Sequence, residues 1–91
     1  LWEDPFNQPV AALQTVPLRI FSWDLPFHGE QTAHAEAIER WWQALAHNGA
    51  FVGDFIELCM RNIDYLVRQG IVDPSRLAAM GLSRGGFMAT H

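Results

Sequence analysis

Apolar residues recur at helical spacing in the middle of the chain and predict a first helix over residues 34–47. The apolar positions of this stretch are Ile38, Trp41, Trp42 and Leu45. Glu36 and Arg40 are four residues apart, the spacing of an ion pair on the solvated face of a helix. Asn48 and Gly49 follow and are typical of a helix C-terminus.

A second helix is predicted over residues 54–69, where the pattern is more regular. Asp54 is a good N-cap with Glu57 three residues on, and Gly70 is expected to end the helix. The expected buried stripe is Ile56, Cys59, Met60, Ile63, Leu66 and Val67, and the opposite charged face is Glu57, Arg61, Asp64 and Arg68. Within such a stripe Cys59 is expected to be a small core residue and not a nucleophile.

Two shorter stretches predict strands on either side of these helices. Residues 18–24 alternate in size and contain Ile20, Phe21 and Trp23, which favours a strand. Residues 76–81 contain a four-residue apolar run that ends at a glycine, which is typical of a buried central strand. A turn over residues 73–76 leads into it. Strand, helices and strand together form the βαβ pattern of a parallel sheet.

Residues 1–17 are predicted to be mostly loop, since they contain three prolines. A short helix capped by Asn7, with Pro9 in its first turn, is expected to turn Val10 and Leu13 inward and to end at Pro17. For the aromatic residues Trp2 and Phe6, packing in the core or against loops is favoured over a place in a substrate pocket.

Composition narrows the class of protein. The chain has 91 residues, 49% of them hydrophobic and 18% charged, so it makes one small globular domain with more apolar material than so small a body easily buries. It starts at Leu1 and stops about two turns into an expected helix, so it looks incomplete.

Charge and hydropathy narrow the expected partners. The formal charge of −4, without a basic patch, makes nucleic acid an unlikely partner, and a single cysteine excludes an internal disulfide. No apolar run approaches the ~20 residues of a membrane span, so no membrane association and a cytoplasmic location are expected. No metal and no cofactor are expected.

The chemistry of the chain is concentrated at Gly81, Ser83 and Gly85, which form a G-x-S-x-G motif directly after the apolar run. In a nucleophile elbow, a sharp turn from strand to helix holds the serine in a strained conformation, and the flanking glycines let neighbouring backbone pass. The backbone N–H of Arg84 is then a candidate oxyanion donor. Gly86 and the small or apolar residues after it fit this context. The alternative is that Ser83 is an ordinary turn serine.

Residues 24–29 (DLPFHG) and 72–86 (VDPSRLAAMGLSRGG) together resemble the α/β-hydrolase superfamily, in the branch of prolyl-oligopeptidase-like peptidases and dienelactone-hydrolase-like esterases. The resemblance runs from about residue 18 to residue 91. It implies the α/β class: a partial α/β-hydrolase fold whose parallel strands are connected by helices, within a three-layer α/β/α protein. It also implies that Ser83 is the nucleophile of an elbow at residues 81–85. Phe27 departs from this pattern, since the family has glycine there. The difference is expected to affect the shape of the pocket and not the chemistry.

The rest of a catalytic triad is not expected within these residues. In this fold the acid and the base follow the serine, so both should lie beyond His91. His28, His34 and His47 precede the nucleophile, and His91 is roughly 12 Å along the next helix, too far to take the serine proton. Among them, His28 is the strongest exception because its loop follows a strand at the catalytic edge. The second oxyanion donor is also expected outside the chain.

Two hypotheses of different classes follow. In the first, the chain belongs to a serine hydrolase that cleaves an ester or amide through an acyl-enzyme on Ser83, acting on a small ester or short peptide, with acyl transfer also open. The Arg84 side chain would then either anchor the elbow or meet an anionic substrate. In the second, the chain is a catalytically incomplete binding or assembly segment that could self-associate through unpaired sheet edges. Phosphate binding is excluded, since the motif has neither G-x-G-x-x-G nor a Walker lysine.

Overall fold

The computed structural model describes residues 7–29 and 33–91. These residues contain four helices and no β-strand: α1 is Gln8–Leu13, α2 is His34–His47, α3 is Ala50–Arg68 and α4 is Arg84–Ala89. The two long helices α2 and α3 pack on each other, and α4 follows the G-x-S-x-G motif. Trp2 and Phe6 lie outside the described residues.

Helix α2 occupies the range that its apolar spacing predicts, but it buries a different face. Trp41 is 5% exposed and Ala37 is also buried, whereas Trp42 is 67% exposed. Ile38, which lies one turn before Trp42, is exposed as well. The four apolar positions of the pattern therefore do not share one buried face, because Ile38 and Trp42 form a second face that nothing in the described residues covers. The ion pair between Glu36 and Arg40 on the solvated side is confirmed.

Only two residues separate α2 from α3, and they explain why α3 begins earlier than expected. Gly49 has a φ of +63°, which lets the chain reverse, and the amide N–H groups of Asn48 and Gly49 both donate to the Ala44 carbonyl. The Asn48 side chain then accepts a hydrogen bond of 3.0 Å from the Ala50 amide. Because this amide is satisfied there, α3 starts at Ala50, and the prediction of Asp54 as N-cap is wrong.

Helix α3 ends in a Schellman motif at Gly70, as predicted. The Ile71 amide donates to the Leu66 carbonyl at 3.0 Å and the Gly70 amide to the Val67 carbonyl at 2.9 Å, with Gly70 at a φ of +68°. The Ile71 carbonyl in turn accepts a hydrogen bond of 2.9 Å from Arg19, which ties the end of α3 to residues far away in sequence.

The predicted apolar stripe of α3 is half-buried except at Met60, which is 53% exposed. Met60 lies at the edge of the stripe, about 100° around the helix from Cys59, which agrees with its exposure. Burial raises the pKa of the Cys59 thiol, which lowers its thiolate fraction. This agrees with a packing role for Cys59.

Helix α1 has Asn7 at its N-cap position and Pro9 in its first turn, as predicted, although the Asn7 side chain makes no capping bond. Val10 and Leu13 are half-buried. The helix ends at Leu13, so the expectation that Pro17 terminates it is wrong. The Val16 amide instead bonds the Leu13 carbonyl at 3.0 Å and closes a turn before the proline is reached.

Residues 18–24 and 76–81 have no regular secondary structure in the described part of the chain. A strand is defined by hydrogen bonds to a neighbouring strand, and neither segment has such a neighbour there. Their assignment as strands therefore stays a prediction. Both segments keep large apolar side chains exposed, namely Leu18, Ile20, Phe21, Trp23, Leu77 and Met80.

The described residues bury only Ala37, Trp41 and Met88 among their apolar side chains. The Cα radius of gyration is 14.5 Å, larger than the ~12 Å typical of a compact domain of this length. No helix of the described residues is long and apolar enough to cross a membrane.

The turn at residues 73–76 is confirmed, and hydrogen bonds to the Asp73 side chain stabilise it. The Arg76 amide donates to the Asp73 carbonyl at 3.0 Å. The Asp73 carboxylate accepts the Ser75 hydroxyl at 2.7 Å and the Ser75 amide at 2.9 Å. These two hydrogen bonds hold the pKa of Asp73 below its ordinary value, because they favour the charged carboxylate. The bond from the Ser75 hydroxyl has the larger effect, and the bond from the Ser75 amide has the smaller one.

We predict that Gly53→Ala stabilises α3 and Gly49→Ala destabilises the α2–α3 connection. Gly53 is exposed within α3, and a Cβ there would meet nothing within 4 Å, so alanine should gain about 0.5–1 kcal/mol of helix stability. Gly49 has a positive φ that alanine adopts only with strain. Urea unfolding followed by circular dichroism measures both, and an equal effect of the two substitutions would contradict this account.

We predict that Ser75→Ala raises the pKa of Asp73 toward its ordinary value, whereas Ser75→Thr, which keeps the hydroxyl, leaves it low. Since the folded-state pKa lies below the unfolded one, the turn contributes stability above the unfolded pKa of about 3.9, and this is lost as the pH falls through the lower folded value. Carboxyl carbon NMR titration measures the shift. An unchanged Asp73 midpoint in Ser75→Ala would assign the effect to the backbone amide.

Candidate active site

Ser83 has a backbone conformation that few residues other than glycine adopt. Its φ is +54° and its ψ is −120°, and it stands at the N-cap of α4. The Ser83 carbonyl accepts the Phe87 amide at 2.9 Å, so the serine is tied to the first turn of the helix. Its side chain makes no capping hydrogen bond and the residue is exposed. The strain that a nucleophile elbow requires is therefore present, and the hydroxyl is left accessible.

Close backbone approach explains the glycines around Ser83. A Cβ on Gly81 would overlap the Gly85 carbonyl group and lie 2.5 Å from the Gly86 nitrogen. A Cβ on Gly86 would lie 3.0 Å from the Gly81 oxygen, which is also tight. At Gly85 the nearest atom is Leu25 Cδ1 at 4.0 Å, an ordinary contact. Among the described residues the close approach thus falls on Gly81 and Gly86. The steric need for glycine at Gly85 stays a prediction.

The backbone N–H of Arg84 is available to a ligand. Arg84 is the first residue of α4, and the described part of the chain offers its amide no hydrogen-bond acceptor. The next amide differs, since Gly85 donates to the Leu82 carbonyl at 2.9 Å. An unsatisfied amide directly after the serine is where an oxyanion donor is needed. The role of Arg84 as that donor stays a prediction.

The Arg84 side chain turns inward onto Trp41. Its guanidinium carbon lies 5.9 Å from the centre of the Trp41 ring, within cation–π range. Its Nη1 atom is buried and has no hydrogen-bond partner, and no carboxylate of the described residues pairs with it. The contact joins residues 43 positions apart, which is why helical periodicity and motif spacing did not reveal it.

Trp41 in turn packs against aromatic rings from two segments, helix α3 and the loop at residues 24–29. Phe51 of α3 packs edge-on at 5.0 Å between ring centres, and His28 packs edge-on at 6.2 Å. Phe27 lies 5.3 Å from Phe51 on the far side of this cluster. The loop at residues 24–29, the two long helices and the start of α4 therefore meet around one indole ring.

Phe27 has a backbone conformation that favours glycine. The His28 amide donates to the Leu25 carbonyl at 3.0 Å, closing a turn with Pro26 second and Phe27 third. Phe27 has a φ of +67°, the conformation that favours glycine at the third position of a type II turn. Its ring packs on Phe51, so the strain is offset by aromatic contact. Its ring also borders two shallow surface depressions, of about 330 and 340 Å³, neither of which Ser83 lines.

None of the histidines forms a catalytic pair with Ser83 in the described structure. Three donate from Nδ1 to a backbone carbonyl: His28 to Pro26 at 2.9 Å, His47 to Gln43 at 3.1 Å, and His91 to Phe87 at 2.8 Å. His28 Nε2 is buried without a partner, and its ring faces Trp41. The described part of the chain also contains no group of three or more His, Cys, Asp or Glu residues that could hold a metal ion.

A strained serine at the start of a helix, with an unsatisfied amide after it, is compatible with the nucleophile elbow that the G-x-S-x-G motif predicts for an α/β-hydrolase. The prolyl oligopeptidase family, peptidase family S9, matches residues 36–91. The chain therefore belongs to the prolyl oligopeptidase family, and the resemblance to the α/β-hydrolase superfamily is confirmed.

Two curated plant proteins are similar over a shorter stretch. Acylamino-acid-releasing enzyme 2 of Oryza sativa subsp. japonica is 39% identical over 36 residues, which cover 40% of this chain and 5% of the relative. Acylamino-acid-releasing enzyme of Arabidopsis thaliana is 46% identical over 33 residues, or 36% of this chain and 4% of the relative. The matched stretches thus span about a twentieth of the length of these relatives. No solved structure matches the chain significantly.

We predict that Gly81→Ala destabilises the protein by about 1–3 kcal/mol, because its new methyl group would overlap backbone atoms that cannot rotate away. Gly85→Ala is the matched control. Its methyl group meets only a flexible leucine side chain, and alanine favours a helix. Denaturant unfolding of both variants measures the difference. Comparable losses at the two positions would show that the elbow does not depend on the approach at Gly81.

Proposed function

We propose that the protein carrying this chain is a serine hydrolase that cleaves an ester or amide bond through an acyl-enzyme on Ser83. The observation that carries the proposal is the strained backbone of Ser83, with a φ of +54° and an exposed hydroxyl. Strain of this kind costs of order 1–3 kcal/mol and persists where the surrounding structure imposes it, typically at functional sites. Membership of a peptidase family supports the same reaction class.

The proposed chemistry has two steps. The Ser83 hydroxyl oxygen attacks the substrate carbonyl carbon, its proton passes to a base, and the carbonyl oxygen becomes an oxyanion that the Arg84 amide binds. The intermediate collapses with loss of the leaving group, which takes up the proton. Water then attacks the acyl-enzyme and releases the acid, restoring Ser83. The acid, the base and a second oxyanion donor are proposed to come from residues outside this chain.

We further propose that residues 18–24 and 76–81 are strands of a parallel sheet in the complete α/β fold, with helices on both faces. Their exposed apolar side chains would be covered there by neighbouring strands and helices. This placement would put the loop at residues 24–29 and Ser83 at the same edge of the sheet, since parallel strands share the direction of their carboxyl ends. A Cβ placed on Gly85 would lie 4.0 Å from Leu25 Cδ1, so the loop and the start of α4 are neighbours, which supports the arrangement.

The relatives narrow the proposed substrate to amides of acylated amino acids, because both are named acylamino-acid-releasing enzymes. Comparison of N-acetyl-alanine p-nitroanilide with p-nitrophenyl acetate distinguishes this from a general esterase. Turnover of the ester alone would reject the amide proposal and leave the nucleophile in place.

The alternative is that the chain acts only as a binding or assembly segment. Its exposed apolar residues on both predicted strands are compatible with it. The strained serine and the free Arg84 amide have no purpose under this alternative, so the hydrolase proposal explains more of the structure.

We predict that a fluorophosphonate probe labels Ser83 in the full-length protein and that Ser83→Ala abolishes the labelling. Turnover of p-nitrophenyl acetate should fall by at least ~10³-fold in the same variant, since the nucleophile of a triad accounts for several powers of ten in rate. Peptide mapping of the labelled protein and ester turnover are the measurements.

Ser75→Ala is the control, because Ser75 is an exposed turn serine bonded to Asp73. It should keep full labelling. The 91-residue chain alone should remain unlabelled, since it lacks a positioned base. Labelling at another serine, or none on the full-length protein, would reject Ser83 as the nucleophile and leave the binding-segment alternative.

A further inference from the structure

We propose that the Arg84 side chain and Trp41 form a clamp that positions the Arg84 backbone amide as oxyanion donor. The proposal rests on the proposed function, because an oxyanion donor has a role only if Ser83 is acylated. Trp41 of α2, 42 positions before the nucleophile, would thereby set the geometry of the oxyanion hole.

The contact between the two residues has the geometry of a cation–π interaction. The guanidinium carbon is 5.9 Å from the Trp41 ring centre, and the ring itself is 5% exposed. Arg84 is half-buried and its Nη1 atom is shielded from water. A desolvated cation gains more from a ring face than an exposed one does. Among the described residues, the Trp41 ring is therefore the group that stabilises the guanidinium charge.

Trp41 has a fixed position because it is buried and two aromatic rings pack against it. Phe51 packs edge-on against it at 5.0 Å and His28 at 6.2 Å, and the indole lies in the contact region between α2 and α3. An indole confined in this way keeps its position and fixes the guanidinium above it. Arg84 is therefore held both by α4 and by its own side chain.

The clamp acts on the residue whose amide is free. Arg84 follows the strained Ser83, and its amide has no acceptor in the described part of the chain. The planar peptide that carries this amide is held on its carbonyl side, where the Ser83 oxygen accepts the Phe87 amide, and the Arg84 side chain restrains the same residue from the other side. Preorganised donors stabilise a transition state because no reorganisation is needed when charge develops. A side chain anchored on Trp41 supplies that preorganisation.

Two other roles for the Arg84 side chain were open from the sequence. An anchoring pair with a carboxylate is absent among the described residues, where the ion pairs are Arg40 with Glu36 and Arg61 with Glu57. Binding of an anionic substrate group would have to use the other guanidinium nitrogens, because Nη1 is buried. Positioning through Trp41 is the role that remains with a contact to support it.

The test is pre-steady-state acylation of the full-length protein by p-nitrophenyl acetate, which separates the acylation rate constant from the half-saturation concentration. Arg84→Met keeps the length of the side chain and removes its charge. It should lower the rate constant about tenfold and leave half-saturation within about twofold, since binding is untouched. Arg84→Lys, which retains a cation, should recover most of the rate. Trp41→Phe, with a weaker ring, should lose about threefold.

Matched controls come from the same helices. Arg61→Met removes an exposed charge from α3, and Trp42→Phe changes the exposed neighbour of Trp41; both should acylate at the wild-type rate. Circular dichroism and urea unfolding establish that each variant is folded. Should Arg84→Met unfold, Trp41→Phe tests the same contact while keeping an aromatic ring in place.

The outcomes separate the clamp from the proposed function. If wild-type protein is acylated at Ser83 but Arg84→Met and Trp41→Phe react at the wild-type rate, the clamp is wrong and the hydrolase proposal stands. A raised half-saturation concentration with an unchanged rate constant would also overturn the clamp and assign Arg84 to substrate binding. If wild-type protein is not acylated at Ser83, both proposals fall.

Discussion

The approach of two backbone segments at Gly81 is the constraint on which the rest of the site depends. The chain leaves residues 76–81, reverses at Ser83 and starts α4 so tightly that the Gly85 carbonyl occupies the space of a Cβ on Gly81. A reversal this sharp requires the positive φ of Ser83, because a relaxed serine would carry the chain away. The exposed hydroxyl and the free Arg84 amide are consequences of the same turn. Strain and accessibility therefore have one steric origin.

Aromatic packing around Trp41 links this turn to the rest of the chain. Three pieces of the molecule, from the loop at residues 24–29, from α3 and from the start of α4, place rings or a cation against one indole. Phe27 adopts a left-handed conformation beside this cluster, and its ring contacts Phe51. Local strain at Ser83 and at Phe27 is thus held in place by neighbouring packing.

The described residues bury few apolar side chains for their composition. Ala37, Trp41 and Met88 are buried, whereas both predicted strands and one face of α2 keep large apolar side chains in solvent. Burying such surface contributes roughly 25 cal/mol per Å², so the interactions that would stabilise these segments most are contacts with other parts of a complete fold. The proposed parallel sheet would supply them.

Features that depend on a few neighbouring residues were determined by the sequence alone. The extent of α2, the end of α3 at Gly70 and the turn at Asp73 each follow from spacing or from turn-forming residues that are close in sequence. The G-x-S-x-G motif likewise indicated the strained backbone of Ser83. The start of α3 was mispredicted, because Asn48 and Gly49 cap it before Asp54 is reached. Sequence spacing also could not show that α2 buries Trp41 and exposes Trp42, since both are apolar positions of the helical pattern. The tertiary structure decided that, because burial depends on which neighbours are present, and it alone brought Arg84 onto Trp41 across 43 positions.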